Sequence, residues 1–125
     1  MFAFYFWMIV CGGLGSLMRY GVTQGVVTLY GASWLGTLLV NIVGCFLFGF
    51  CYAWCARGTV SPCMRAVIVG GFLGGFTTMS AFAGDVFVAM SQHRFFDGAV
   101  YALVTNVGAI MAVWMGFITF NTFLK

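Results

Sequence analysis

Charge is what this 125-residue chain has least of: Asp, Glu, Lys and Arg together make up 6% of it, against 63% hydrophobic residues. A monomer of that composition does not stay in water, so a soluble globular protein is excluded and an integral membrane protein is indicated. Five basic residues scattered along the chain do not form the cationic face that a sequence-independent nucleic-acid binder needs. One histidine and five cysteines without a CxxC pair argue against a metal cluster. Cys51 and Cys55 lie one turn apart, and buried thiols in membrane helices act mainly as small apolar residues. No Ser-His-Asp set, carboxylate pair or phosphate loop on a strand–helix unit is present, and a membrane enzyme is the weakest reading. The start of the chain, Met1 to Trp7, lacks the basic region of a signal peptide and reads as the beginning of a span.

What is present is apolar sequence in four blocks of bilayer length, at about 20 residues per span. The expected fold is therefore an all-α membrane protein, with residues 1–125 forming a single four-helix transmembrane domain. The first helix is expected from Phe2 to about Val26 and the second from Trp34 to Trp54, with a polar-leaning loop at Gln24 to Ser33 between them. The third is expected from Cys63 to Met90 and the fourth from Phe96 to Thr119. Pro62 stands where it can open the third helix, and Asp97 suits the positive end of the fourth. His93 reads as solvated.

The third block is unusual. Gly70-Gly71-Phe72-Leu73-Gly74-Gly75-Phe76-Thr77-Thr78-Met79-Ser80-Ala81-Phe82 holds four glycines and three hydroxyl residues inside a membrane-length run. Each helical Gly costs about 1 kcal/mol relative to Ala, and lipid gives exposed backbone no partner. Two readings stay open: unwound backbone that handles an ion, or glycines that only let helices pack closely. Asn41, near the middle of the second helix, is either interhelical glue or a donor lining a path. Arg19 either snorkels to the headgroups or provides a vestibule charge. Asp85 lies toward the far end of its span, water-facing or an ion ligand. Tyr101, Thr105 and Ala109 repeat every four residues, which puts the first two hydroxyls on one face, while Gly108, Ala112 and Gly116 form a close-packing stripe.

With four spans, Arg57, Arg65 and Lys125 share one side and Arg19 and Arg94 the other. Three against two sets no clear orientation under the positive-inside rule. The chain could then insert both ways, and four short helices offer so little interior that a dimer is expected, with an antiparallel one among the arrangements left open.

Three segments carry a family resemblance over nearly the full length: Gly15-Ser16-Leu17-Met18-Arg19-Tyr20, Gly36-Thr37-Leu38-Leu39-Val40-Asn41-Ile42-Val43-Gly44, and Gly71 to Phe82. The last is similar to the pattern GFCGGLTTFSTF. On these residues the chain resembles the Fluc (CrcB) fluoride channels. The resemblance implies a fluoride-selective passive channel in the cell inner (plasma) membrane, built as an antiparallel dual-topology homodimer. It further implies two pathways and a central structural sodium ion at a break in the third helix. Implied pathway residues are Asn41, Met79, Ser80, Phe82, Tyr101 and Thr105. Arg19 is implied at the vestibule or dimer contact, and the Gly74 and Thr77 carbonyls at the sodium. Met79 stands where the family has a phenylalanine, Ala81 replaces a hydroxyl residue, Ala109 stands where serine often continues the track, and Asp85 replaces glutamate. Met79 supports the alternative of a non-conducting or accessory subunit of a heterodimeric channel. A small multidrug-type exporter would need an acid in the first helix, which has none.

Overall fold

The computed structural model describes residues 1–124; Lys125, counted above on one membrane side, lies outside them. Four helical spans are long and apolar enough to cross a membrane: Phe2–Tyr30, Ser33–Ala56, Pro62–Ser91 and Phe95–Phe123. No strand occurs among the described residues.

Each boundary has a local cause. The first helix runs four residues past Val26, to Tyr30, so most of the loop expected from Gln24 is helical. It stops at Gly31, whose φ of 68° is left-handed and whose N–H donates to the Val27 carbonyl at 2.8 Å, an ending that glycine adopts without steric cost. The polar residues before it remain helical by bonding inward: the Thr28 hydroxyl donates to the Gln24 carbonyl at 2.9 Å. Pro62 opens the third span as expected, and the Ser61 hydroxyl caps it by accepting from the Met64 N–H at 3.2 Å. Between the third and fourth spans His93 takes a left-handed φ of 59°, which lets the Arg94 N–H reach the Ala89 carbonyl at 2.9 Å. Asp97 stands in the first turn of the fourth helix and pairs with Arg94 at 2.8 Å.

Glycine sets how near the helices come. A Cβ at Gly15 would strike the Phe72 carbonyl oxygen, and one at Gly75 would strike that of Gly12, so the first helix and third span lie backbone to backbone. The second and fourth helices do the same lower down, where Cβ atoms at Gly49 and Gly116 would strike the Val113 and Phe46 carbonyl oxygens. These two helices run parallel, as successive neighbours show: Trp34 with Tyr101, Gly116 with Phe46, and Phe50 with Phe120 at 5.0 Å between rings. Val40, Leu73, Phe76, Phe82, Ala112 and Phe120 form the small core. The first helix is barely covered, with 6% of its most apolar window buried.

Candidate functional site

The third span changes backbone geometry along its length. Pro62–Arg65 is α-helical, Ala66–Leu73 takes the wider π-helical turn, and Gly74–Phe76 returns to α. Thr77 (φ −81°, ψ 157°) and Thr78 (φ −148°, ψ 109°) are extended, and a helix resumes over Met79–Ser91. The glycines therefore stay helical, and the residues that leave helix are the two threonines. Two consecutive extended residues withdraw backbone groups from the helical ladder, and in hydrocarbon each unsatisfied group costs several kcal/mol.

Side chains replace the missing bonds. Asn41 reaches across from the second helix, where its Oδ1 accepts from the Thr78 N–H at 2.8 Å and its Nδ2 donates to the Thr78 carbonyl at 3.1 Å. The amide thus copies the pairing of a neighbouring strand on one residue. Gly44, one turn further along, makes this approach possible, because a Cβ there would collide with the Thr77 Cγ2. The Thr77 N–H and hydroxyl both donate to the Leu73 carbonyl, each at 3.0 Å. The Thr78 Oγ1 accepts from the Ala81 N–H at 3.2 Å and lies 3.3 Å from the Ser80 Oγ, capping the resumed helix. Ser16 on the first helix donates to the Gly75 carbonyl at 3.4 Å. No hydrogen bond to the Gly74 or Thr77 carbonyl oxygen occurs among the described residues.

A second polar group gathers nearer the loop between the third and fourth spans. The Tyr101 hydroxyl lies 3.4 Å from both the Trp34 carbonyl and Asp85 Oδ2, and its single proton serves one of them at a time. The Phe82 ring lies 5.5 Å from the Tyr101 ring, and the Trp34 ring meets Tyr101 edge-on at 5.7 Å. Trp34, Asp85 and Tyr101 line a cavity of about 470 Å³, whose wall joins apolar residues such as Leu38 and Val100 to the polar Gln92, Arg94 and Asp97. One turn deeper, Thr105 is 5% exposed and its Oγ1 has no hydrogen-bond partner among the described residues.

The residues singled out from sequence thus fall into three places. Asn41 and Thr77 meet at the extended pair, beside Gly74. Phe82 and Tyr101 touch, with Thr105 following on the same face of the fourth helix. Met79, 71% exposed, and Ser80 lie on the outer surface of the chain. Arg19 stays on the first helix, and its Nε is buried without a partner among the described residues. Sequence reasoning missed Thr78 as the residue Asn41 holds, although a threonine just before a resuming apolar run is a helix-start signal. It also missed the Trp34 carbonyl, which no side-chain pattern could reveal.

Comparison with known proteins fits this arrangement. The family described as CrcB-like protein, Camphor Resistance (CrcB) matches residues 6–117. A protein of Rhizobium leguminosarum named Fluoride-specific ion channel FluC is 42% identical over 108 residues, covering 85% of this chain and 86% of the relative. Proteins of the same name from Gloeobacter violaceus and Vibrio cholerae are 36% and 37% identical, covering 89% and 85% of this chain and 90% and 86% of the relatives. On the length of the match and the level of identity, the chain belongs to the CrcB family.

Proposed function

We propose that this chain is a fluoride-selective passive channel that exports fluoride across the plasma membrane. It works as an antiparallel homodimer with two pathways and a structural sodium ion. The observation that carries the path is Thr105, a buried hydroxyl with no hydrogen-bond partner among the described residues, one turn from Tyr101, which lines the cavity. A donor left unmatched in a low-dielectric interior is costly unless something else accepts from it. The names of the relatives supply the ion.

Fluoride is small and strongly hydrated, so a path has to replace its water with donors. Tyr101 and Thr105 offer hydroxyls on one helix face. Asn41 spends one Nδ2 hydrogen on Thr78 and keeps the other. Its contribution is double: it holds the extended pair in place and leaves one donor available to an anion. The Phe82 ring presents a positive edge that an anion can approach. Met79 has no such quadrupole, and its methyl and polarizable sulfur substitute in part. Met79 and Ser80 lie on the outer surface of one chain, so they reach a path only where a second copy covers them. The scant burial of the first helix supports the same pairing.

The carbonyl oxygens of Gly74 and Thr77 suit sodium, because they are hard donors not engaged in hydrogen bonds among the described residues. Contributed by both copies, they would hold the ion, which would supply fixed positive charge at the dimer centre.

No coupling ion is required. Fluoride enters an acidified cell as the neutral acid, ionises in the more alkaline cytoplasm and is trapped there. An inside-negative potential of about 100 mV favours its exit by about 2.3 kcal/mol per charge. The test is growth of cells that lack their own fluoride exporters. Expression of this chain is expected to restore growth on fluoride, and Asn41→Asp to abolish the rescue. Rescue by Asn41→Asp at equal expression would remove Asn41 from the path.

A further inference from the structure

A second cavity, of about 430 Å³, opens at the opposite end of the bundle, where the second helix hands over to the third span. It is lined by Cys55, Val60, Arg65, Ala66, Val69 and Gly70 among others. Most of its lining side chains are apolar, and one, Arg65, is charged. The room comes from the wide-turned π segment Ala66–Leu73 and its small residues: a Cβ at Gly70 would meet nothing closer than the Met8 methyl at 3.9 Å.

Arg65 stands over the Tyr52 ring at 5.9 Å, and its side chain makes no hydrogen bond or ion pair among the described residues. Its neighbour at this end, Arg57, is occupied: it lies 4.6 Å from the Phe120 ring centre and donates to the Leu124 carbonyl. The sequence has two acidic side chains, Asp85 and Asp97, and both line the cavity at the other end. An arginine at a membrane boundary, set over an aromatic ring above a groove, has no acidic side chain at its end of the molecule to pair with.

We infer that this groove seats an anionic phospholipid, with the headgroup phosphate on Arg65 and an acyl chain along Val60, Ala66, Val69 and Gly70. Guanidinium matches phosphate oxygens in a two-pronged geometry that ammonium does not reproduce. The groove takes up the chain, and this makes the ligand a lipid rather than a free phosphate. The site is separate from the fluoride path and is unaffected if that reading fails.

Native mass spectrometry of the detergent-purified protein tests it, with phosphatidylglycerol and phosphatidylcholine of identical chains as probes. The wild-type protein is expected to retain phosphatidylglycerol preferentially. Arg65→Gln is expected to lower that retention about fivefold, as the attraction of one arginine to anionic lipid implies, while Arg94→Gln, at the other end, leaves it unchanged. Ala66→Leu fills the groove without touching the charge and is expected to reduce retention of both lipids. Arg65→Lys, which keeps the charge, is expected to fall between wild type and Arg65→Gln. An unaltered preference in Arg65→Gln, or unaltered retention of both lipids in Ala66→Leu, would overturn the assignment. Displacement of the lipid by equimolar glycerol phosphate would overturn it in favour of a soluble phosphate ester. A loss of fluoride release by Arg65→Gln in purely phosphatidylcholine vesicles would assign the arginine to the ion instead.

Discussion

Two pairs of helices in this protein come backbone to backbone through glycine, and only one of them adjoins the candidate site. Between the second and fourth helices, Gly49 and Gly116 lie against carbonyl oxygens while Phe50 and Phe120 pack edge to face. Both helices stay continuous there. Between the first helix and the third span, Gly15 and Gly75 permit an equally close approach. Just beyond it the backbone becomes extended at Thr77 and Thr78, and Asn41 and Ser16 reach in with hydrogen bonds. Glycine density therefore reports proximity. What marks a site is polar side chains aimed at backbone that the helix has released.

The most severe way to probe this difference is at Asn41. Asn41→Asp still accepts from the Thr78 N–H but cannot donate to its carbonyl, and it places a negative charge beside an anion path. Fluoride efflux from vesicles is expected to fall below detection, and residual efflux above a tenth of the wild-type rate, taken as roughly the loss of one hydrogen bond, would contradict the placement. Next in size is Thr105→Val. A hydrogen bond to a charged group contributes about 1.5–3 kcal/mol, so flux should drop between about ten- and a hundredfold. Because the hydroxyl has no hydrogen-bond partner among the described residues, thermal stability should hold or rise, as read by a detergent melting assay. A fall in stability at unchanged flux would make Thr105 a structural residue.

A matched pair compares the two contacts directly. Gly75→Ala and Gly116→Ala each press a methyl onto a carbonyl oxygen, at a cost of about 1–3 kcal/mol. Both should lower the melting temperature, but fluoride flux per folded molecule should decline only for Gly75→Ala. Equal effects on flux would erase the distinction drawn between the contacts. The smallest effect is expected at Met79. Met79→Phe lies on an exposed surface of the chain, so it should change rate or anion preference by a few-fold, roughly the worth of one aromatic contact, and leave the melting temperature unchanged.

Much of this was legible in advance. Four spans follow from hydropathy alone, and Pro62 and Asp97 marked helix starts by known end chemistry. The stripe of Gly108, Ala112 and Gly116 indicated a close-packing face on the fourth helix, and there Gly116 lies against the second helix. The first helix was read too short because Gln24 and Thr28 look like loop residues. In hydrocarbon their backbone has nowhere else to bond, and the chain waits for Gly31 to turn. The site was legible in residue type more than in arrangement. Asn41 at mid-span requires a partner by its cost alone, but that the partner is the Thr78 backbone depends on where the third span unwinds. Glycine content placed that unwinding at the glycines, whereas the residues that leave helix are β-branched threonines, which tolerate extended angles well. The joint claim of Trp34 and Asp85 on the Tyr101 hydroxyl arises from three separate spans, and no local pattern encodes it.

The most direct test of the central claim is fluoride efflux, read with a fluoride electrode, from liposomes that hold this purified chain and no other protein, with chloride release measured in parallel. Rapid fluoride release without chloride leakage is the expected result; it would establish a selective channel that needs no second kind of subunit and tolerates Met79. Silence from a sample shown to be dimeric and inserted would contradict it, and would make this chain an accessory subunit or Met79 a block in the path.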